Sequence, residues 1–308
     1  MTSRLRQQLE EATRRKLEFD RLADEGGGFA YELASLSMAS HIDDLAQQSA
    51  IESSASGFEH VELRLIASKF SDGSAPLGLV AQISDSFRHM VGYAALRLMQ
   101  GGIEKKRVPK QLYQDLDLRL LGLLPGSSRI VVSANSNRNL FGDGIAKGSF
   151  ERIFRLLLSN GDGEEFMESV ADLGPKSSIW LRTLLDSIIS ESAEVEISWR
   201  YGGQLVYDWN ANLNLLRKMT AALTATEVNV SDEAIISGSI ELLSKNERIH
   251  LLSSEGERYK VLFPKRLLPS VSELRLDQNV SLKCAVSEVV NPLTEEASTS
   301  YELLQIVP

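Results

Sequence analysis

Cysteine is nearly missing from this chain of 308 residues: Cys284 is the only one. No internal disulfide can form, and zinc sites built on several thiolates are excluded. Cys284 lies in the alternating run Val280–Val286, where it reads as a small buried hydrophobe. The four histidines, His41, His60, His89 and His250, stand in separate segments, so no metal site is expected. Aromatic residues make up 6%, which leaves few rings for stacking bases. Cations are also in deficit: 33 Lys and Arg face 42 Asp and Glu, a net charge of −9. That balance disfavours general attraction to a phosphate backbone, so nucleic acid is not an expected partner. No stretch approaches the roughly 18 consecutive apolar residues of a membrane span. The first eight residues are polar and charged, with no apolar region of a secretory signal behind them. These absences together predict a cytoplasmic chain that uses no membrane and no cofactor.

What remains is ordinary globular material, 43% hydrophobic and 24% charged. Its length suits about two domains. Residues 3–25 read as a helix with a thin apolar stripe of Leu5, Leu9, Ala12, Phe19 and Ala23. The pairs Glu10–Arg14 and Glu11–Arg15 support its polar flank. Such a helix must lie against something, either the rest of its own chain or a second copy, with Leu5 and Leu9 as contacts. Gly26-Gly27-Gly28 ends it. Residues 29–57 are rich in Ala and Ser and hold no Lys or Arg. A helix is predicted there over Ile42–Ala50, and a loop over Ser53–Gly57. Residues 1–57 are thus expected to form an arm and linker.

Residues 58–226 mix strands and helices without regular alternation, which predicts an α+β domain with a mainly antiparallel sheet. Strands are expected over His60–Phe70 and Leu77–Ile83, then a helix capped by Ser84 or Asp85 and running to Met99. Another strand is expected from Leu116, with Arg129–Ser133 pairing back across Pro125-Gly126-Ser127. Helices follow near 149–159, 163–172 and 175–190. Val195–Tyr201 and Gln204–Trp209 flank Gly202-Gly203, the strongest hairpin signal in the chain. A helix near 211–224 closes the region. From 227 to 308 the pattern is nearly all strand, in the order β-β-β-α-β-β. That order predicts a small five-stranded barrel, OB-like or SH3-like, with Gly238 at a bulge or bend.

Several constellations are candidates for chemistry. Asp115 and Asp117 form a D-x-D at an expected strand start, the pattern with which nucleotidyltransferases hold magnesium. The accompanying Gly126-Ser127 lies on the wrong side of the pair, so solvated acids are the stronger reading. Gly142–Ser149 holds three glycines, Lys147 and Ser149 ahead of a helix, the context of a phosphate loop. Its ending is Lys-Gly-Ser where the P-loop requires Gly-Lys-Ser, which displaces the lysine. Lys105, Lys106, Arg107 and Lys110 make the densest basic run. Arg258, Lys260, Lys265 and Arg266 form a modest positive group on the barrel. Trp180, Trp199, Tyr201, Tyr207 and Trp209 surround the Gly-Gly hairpin and read mainly as packing.

No catalytic triad, paired acid or metal pattern survives. The order of elements resembles that of bacterial accessory proteins of the phage-defence kind, a likeness that no motif carries. The expectation is a non-enzymatic interaction subunit, an adaptor or scaffold of a cytosolic assembly. It would meet protein partners through Leu5, Leu9 and the two basic groups, with self-association through the first helix as one mode. The alternative is a nucleotide-sensing or metal-dependent phosphoryl enzyme centred on Asp115, Asp117, Lys147 and Ser149.

Overall fold

A computed structural model describes residues 3–54, 59–70, 74–101, 107–124, 128–134, 144–244, 247–291 and 296–307. The chain forms two compact units, each assembled from separated segments. One comprises Met1–Pro76, Arg119–Ala134 and Val195–Asn210; the other holds Leu77–Leu118, Asn135–Glu194 and Ala211–Pro308. The architecture is α+β, with one mainly antiparallel sheet and one closed barrel.

The first unit opens with a helical hairpin. Helix α1 (Ser3–Leu22) runs into a single π-helical turn over Ala23–Gly27. Gly28, at φ 77°, starts the return. Helix α2 (Phe29–Ser54) is 26 residues long, far more than the expected Ile42–Ala50, and it takes in part of the expected loop. The two helices meet through Ala12 and Leu45, with Leu9, Met38 and Ile42 around them. Nearer the turn, the rings of Phe19 and Tyr31 lie 6.5 Å apart. There Ser35 donates to the Asp20 carboxylate, which also takes Lys16 Nζ at 2.7 Å. The first helix thus docks within its own chain.

Strands β1 (Glu59–Ile66), β2 (Leu118–Leu124), β3 (Ser128–Ala134), β4 (Glu194–Tyr201) and β5 (Gln204–Ala211) make a sheet in the order β2-β3-β1-β4-β5. β1 and β3 are antiparallel, from Glu59 opposite Ala134 to Leu65 opposite Ser128. Val61, Leu63 and Leu65 are buried on one face of β1. On the other, Arg64 pairs with Glu196 at 3.0 Å and Arg129 with Glu62 at 3.4 Å. The β4–β5 hairpin turns through Gly202 and Gly203 at φ 55° and 80°. Positive φ at both positions is what a type I′ turn demands. The turn expected over Pro125-Gly126-Ser127 lies outside the described residues.

In the second unit, helix α3 spans Leu77–Gln100. The strand expected over Leu77–Ile83 is therefore its first two turns: Leu79, Val80 and Ile83 continue the buried stripe of Phe87, Met90, Val91 and Ala94. Helix α4 (Lys110–Leu116) replaces the expected strand start, because Leu112 and Leu116 bury one turn apart. Helices α5 (Ile145–Leu158), α6 (Gly163–Leu173) and α7 (Pro175–Ser190) stand close to where the sequence puts them. So does α8 (Leu213–Ala225), whose first turn is capped by the Asn212 side chain accepting from Leu215 N at 2.9 Å.

The barrel holds β6 (Glu227–Ser244), β7 (Arg248–Leu252), β8 (Arg258–Leu262), the short helix α9 (Leu268–Ser272), β9 (Asn279–Asn291) and β10 (Glu296–Val307). It closes in the order β10-β8-β7-β6-β9, and β10 runs antiparallel to β9 but parallel to β8. A last strand lying parallel beside the third is the OB-type connection, which separates this barrel from the SH3-like alternative. Ile240, Ile249, Leu251, Val261, Leu282, Cys284 and Leu303 fill it and are fully buried. Gly238, expected at a bulge or bend, lies between the register shifts of β6, which fall at Val230/Glu233 and Ile240/Leu242. A Cβ there would lie 2.5 Å from the Leu252 carbonyl oxygen, so only glycine lets the two strands approach.

Candidate functional site

In the second unit, α5 lays its apolar face inward through Phe150, Ile153, Phe154 and Leu157, all buried. Its 3.6-residue period then places Lys147, Glu151 and Arg155 along one edge, with Arg152 beside them. The end of α6 brings Asp172 to these side chains. The start of β7 brings Arg248 together with its neighbour Glu247, and the segment after β8 brings Lys265. They enclose a polar cleft of about 60 Å³, closed by Gly144, Gly148 and Leu262.

Asp172 organises the centre. Its Oδ2 accepts from Arg155 Nη1 at 2.9 Å and from Arg248 Nη2 at 2.8 Å. Its backbone oxygen accepts from Arg152 Nη1 at 3.2 Å. Glu247 sits 3.6 Å from both Arg152 Nη2 and Lys265 Nζ, and Lys147 reaches Glu151 at 3.9 Å. Burial pushes the Glu247 carboxyl above the usual range, partly offset by Arg152 and Lys265. Burial likewise pushes the Arg152 guanidinium down, opposed by Asp172, Glu247 and Glu302. Arginine remains charged through such a shift. Among the described residues the lining thus joins the cations Lys147, Arg152, Arg155, Arg248 and Lys265 to the carboxylates Glu151, Asp172 and Glu247. The excess is two positive charges (5 − 3), within a chain whose net charge is −9.

A second, smaller cleft shares Asp172, Arg248 and Leu262 and continues to Glu168, Lys260, Ser298, Thr299 and Ser300. Here Lys260 Nζ meets Glu168 Oε1 of α6 at 2.6 Å. OB barrels commonly hold ligands on their second and third strands. In this chain two acids of α6, Glu168 and Asp172, already lie on the cations of β7 and β8.

Of the residues singled out in the sequence, Lys147 lines the cleft. Ser149 does not: it is fully buried and donates to the Ile145 carbonyl at 2.8 Å, one turn back in α5. Gly144, not Ser149, occupies the N-cap, and Gly142 and Asp143 lie outside the described residues. Asp115 sits in the last turn of α4, where it accepts from Gln111 Nε2 at 2.9 Å. Asp117 ends that helix in the left-handed conformation at φ 41°. The two acids therefore do not share a strand face, and neither lines the cleft.

Lys265 and Lys260 face the clefts, whereas Arg258 is exposed and pairs with Glu241 at 3.2 Å. Arg266, Arg107 and Lys110 are exposed. Lys105 and Lys106 lie outside the described residues, as does the Leu5 side chain, and Leu9 is half-buried in the helical hairpin. Trp199 and Trp209 are buried, while Trp180 stacks on His89 with ring centroids 4.4 Å apart. Sequence reasoning passed over Arg152, Arg155, Asp172, Glu247 and Arg248. Their one local signal is Arg152 and Arg155, one turn apart on the amphipathic helix α5.

No family model, no curated protein and no solved structure matches this chain.

Proposed function

We propose that the protein is a non-enzymatic interaction subunit, an adaptor or scaffold in a cytoplasmic assembly, and that it docks through the outer face of α2. The observation that carries this reading is a row of large apolar side chains in solvent. Phe29, Leu33 and Leu36 are 76%, 56% and 69% exposed. Their spacing of four and three residues puts them on one side of the helix. That side is opposite to Ser35, Met38, Ile42 and Leu45, through which α2 meets α1. Leu17 of α1, 65% exposed, is a further apolar group on the hairpin. Leaving such side chains in water forgoes about 25 cal/mol for each Å² that burial would remove. Contiguous exposed apolar surface marks interaction sites, and an i, i+4, i+7 row is the anchor pattern of a helix seated in a groove.

The chemistry of the partner follows from the neighbours. Between Phe29 and Ser54 the sequence carries Glu32, Asp43, Asp44 and Glu52 and no Lys or Arg. An apolar groove with a basic rim would complement that helix. The enzymatic alternative has less support, since Asp115 and Asp117 stand apart from the cleft and Ser149 is turned inward. Gel filtration of native cell extract tests the proposal. The wild-type chain is expected well above its 34.0 kDa monomer mass, and Leu33→Asp with Leu36→Asp should bring it down to that mass. Equal elution of both proteins as monomers would refute it.

A further inference from the structure

We propose that the cleft lined by Lys147, Arg152, Arg155, Arg248 and Lys265 binds the phosphate group of a small molecule. Three independent features converge there. The first is charge: the lining holds the positive excess described above, although the chain as a whole is strongly acidic. A phosphate dianion would neutralise that excess.

The second is unused donor capacity. Each guanidinium carries several N–H donors in a planar fork. Arg152 is only 8% exposed; among the described residues it gives one hydrogen bond, to the Asp172 carbonyl, and its other Nη faces Glu247 at 3.6 Å. Among the described residues, Arg155 and Arg248 each give one bond, both to the same oxygen of Asp172. Charge-assisted bonds from such guanidinium donors to an oxyanion are stronger than neutral ones, most of all at the buried Arg152. Lys265 adds a further cation on the barrel side, 3.6 Å from Glu247.

The third is size and setting. A free volume of about 60 Å³, against the roughly 10–15 Å³ that a single water needs, leaves room for a tetrahedral oxyanion. The 14-residue helix α5 presents its N-terminal turn, with Gly144 as a cap that has no side chain, to the same space. The positive end of the helix dipole there favours an anion.

Isothermal titration calorimetry of the full chain at fixed ionic strength tests this, with inorganic phosphate in one arm and adenosine 5′-monophosphate in the other. Saturable binding at one site is expected in at least one arm. Binding of phosphate alone identifies a free anion as the ligand, and binding of the nucleotide identifies a phosphomonoester. Lys147 is half-exposed, so Lys147→Ala is expected to fold and to bind about tenfold more weakly, the loss of one charge-assisted contact. Arg266→Ala, an exposed cation outside the lining, should bind like the wild type. Heats no larger than those of matched sodium chloride in both arms would overturn the proposal. So would equal weakening by the two variants, or none by Lys147→Ala.

Discussion

Arg97 of α3 and Glu302 of β10 face each other with 3.5 Å between Nη2 and Oε2, and each is more than nine-tenths buried. The contact is too long for a hydrogen bond, and both Arg97 Nε and Glu302 Oε2 are buried without a hydrogen-bond partner among the described residues. Burial pushes the Glu302 carboxyl up, with Arg97 and Arg152 opposing and Asp172 adding to the rise. A carboxyl raised in the folded state contributes stability that is complete below its unfolded value. That contribution is lost as pH climbs through the folded value. Glu302→Gln removes it. Urea midpoints measured from pH 5 to 8 should therefore fall for the wild type relative to the variant as pH rises. Parallel curves would show that Glu302 is ionised throughout.

In the first unit, Trp199 donates from Nε1 to Glu59 Oε2 at 2.6 Å, with both residues buried. Trp199→Phe keeps a ring but leaves a buried carboxylate oxygen without that donor, at an expected cost of about 1–3 kcal/mol. Adding Glu59→Gln should recover part of this loss, because a neutral amide is cheaper to bury than a charge. Denaturant titration of the two variants measures both effects, and additive losses would argue against coupling of the pair.

Cys284 is fully enclosed in the barrel, and burial pushes its thiol up to about 12. The thiolate is the reactive species, so a disulfide reagent at pH 8 should leave the native protein unmodified and titrate one thiol after unfolding. Rapid native modification would mean that the barrel opens readily.

Residues 227–308, which lie within the second unit, are expected to fold on their own as a barrel. Expressed alone, that segment should give a β-rich circular dichroism spectrum and a cooperative melt. It should be less stable than in the full chain, since Arg248 and Lys260 lose Asp172 and Glu168. A disordered spectrum would show that the α6 contacts are required for folding.

The elements legible from sequence are those in which local pattern and final burial coincide. Gly202-Gly203 fixes a turn by backbone conformation alone, α7 carries one buried stripe from Leu181 to Ile188, and the barrel strands alternate. Helix α2 is legible only over Ile42–Ala50, and its first half is not, for a physical reason. Phe29, Leu33 and Leu36 lie opposite Met38, Ile42 and Leu45, so the two apolar rows cancel each other's helical period. Leu116, Leu118 and Leu120 alternate like a strand, but Leu112 pairs with Leu116 as a helix and the strand begins only at Leu118. Of the cleft, the sequence marks the Gly144–Gly148 stretch with Lys147 and, as part of a separate basic group, Lys265; Arg152, Arg155, Asp172, Glu247 and Arg248 join them through tertiary packing that no spacing encodes.

The central claim is that the outer face of α2 is covered by a partner in the cell. Hydroxyl-radical footprinting, read by mass spectrometry at Phe29, Leu33 and Leu36, compares the chain in native extract with the purified chain. The account expects strong oxidation of all three in the purified protein and protection of all three in extract, while Leu276, 59% exposed on the barrel unit, reacts equally in both. Equal oxidation of the α2 row in both samples would contradict it.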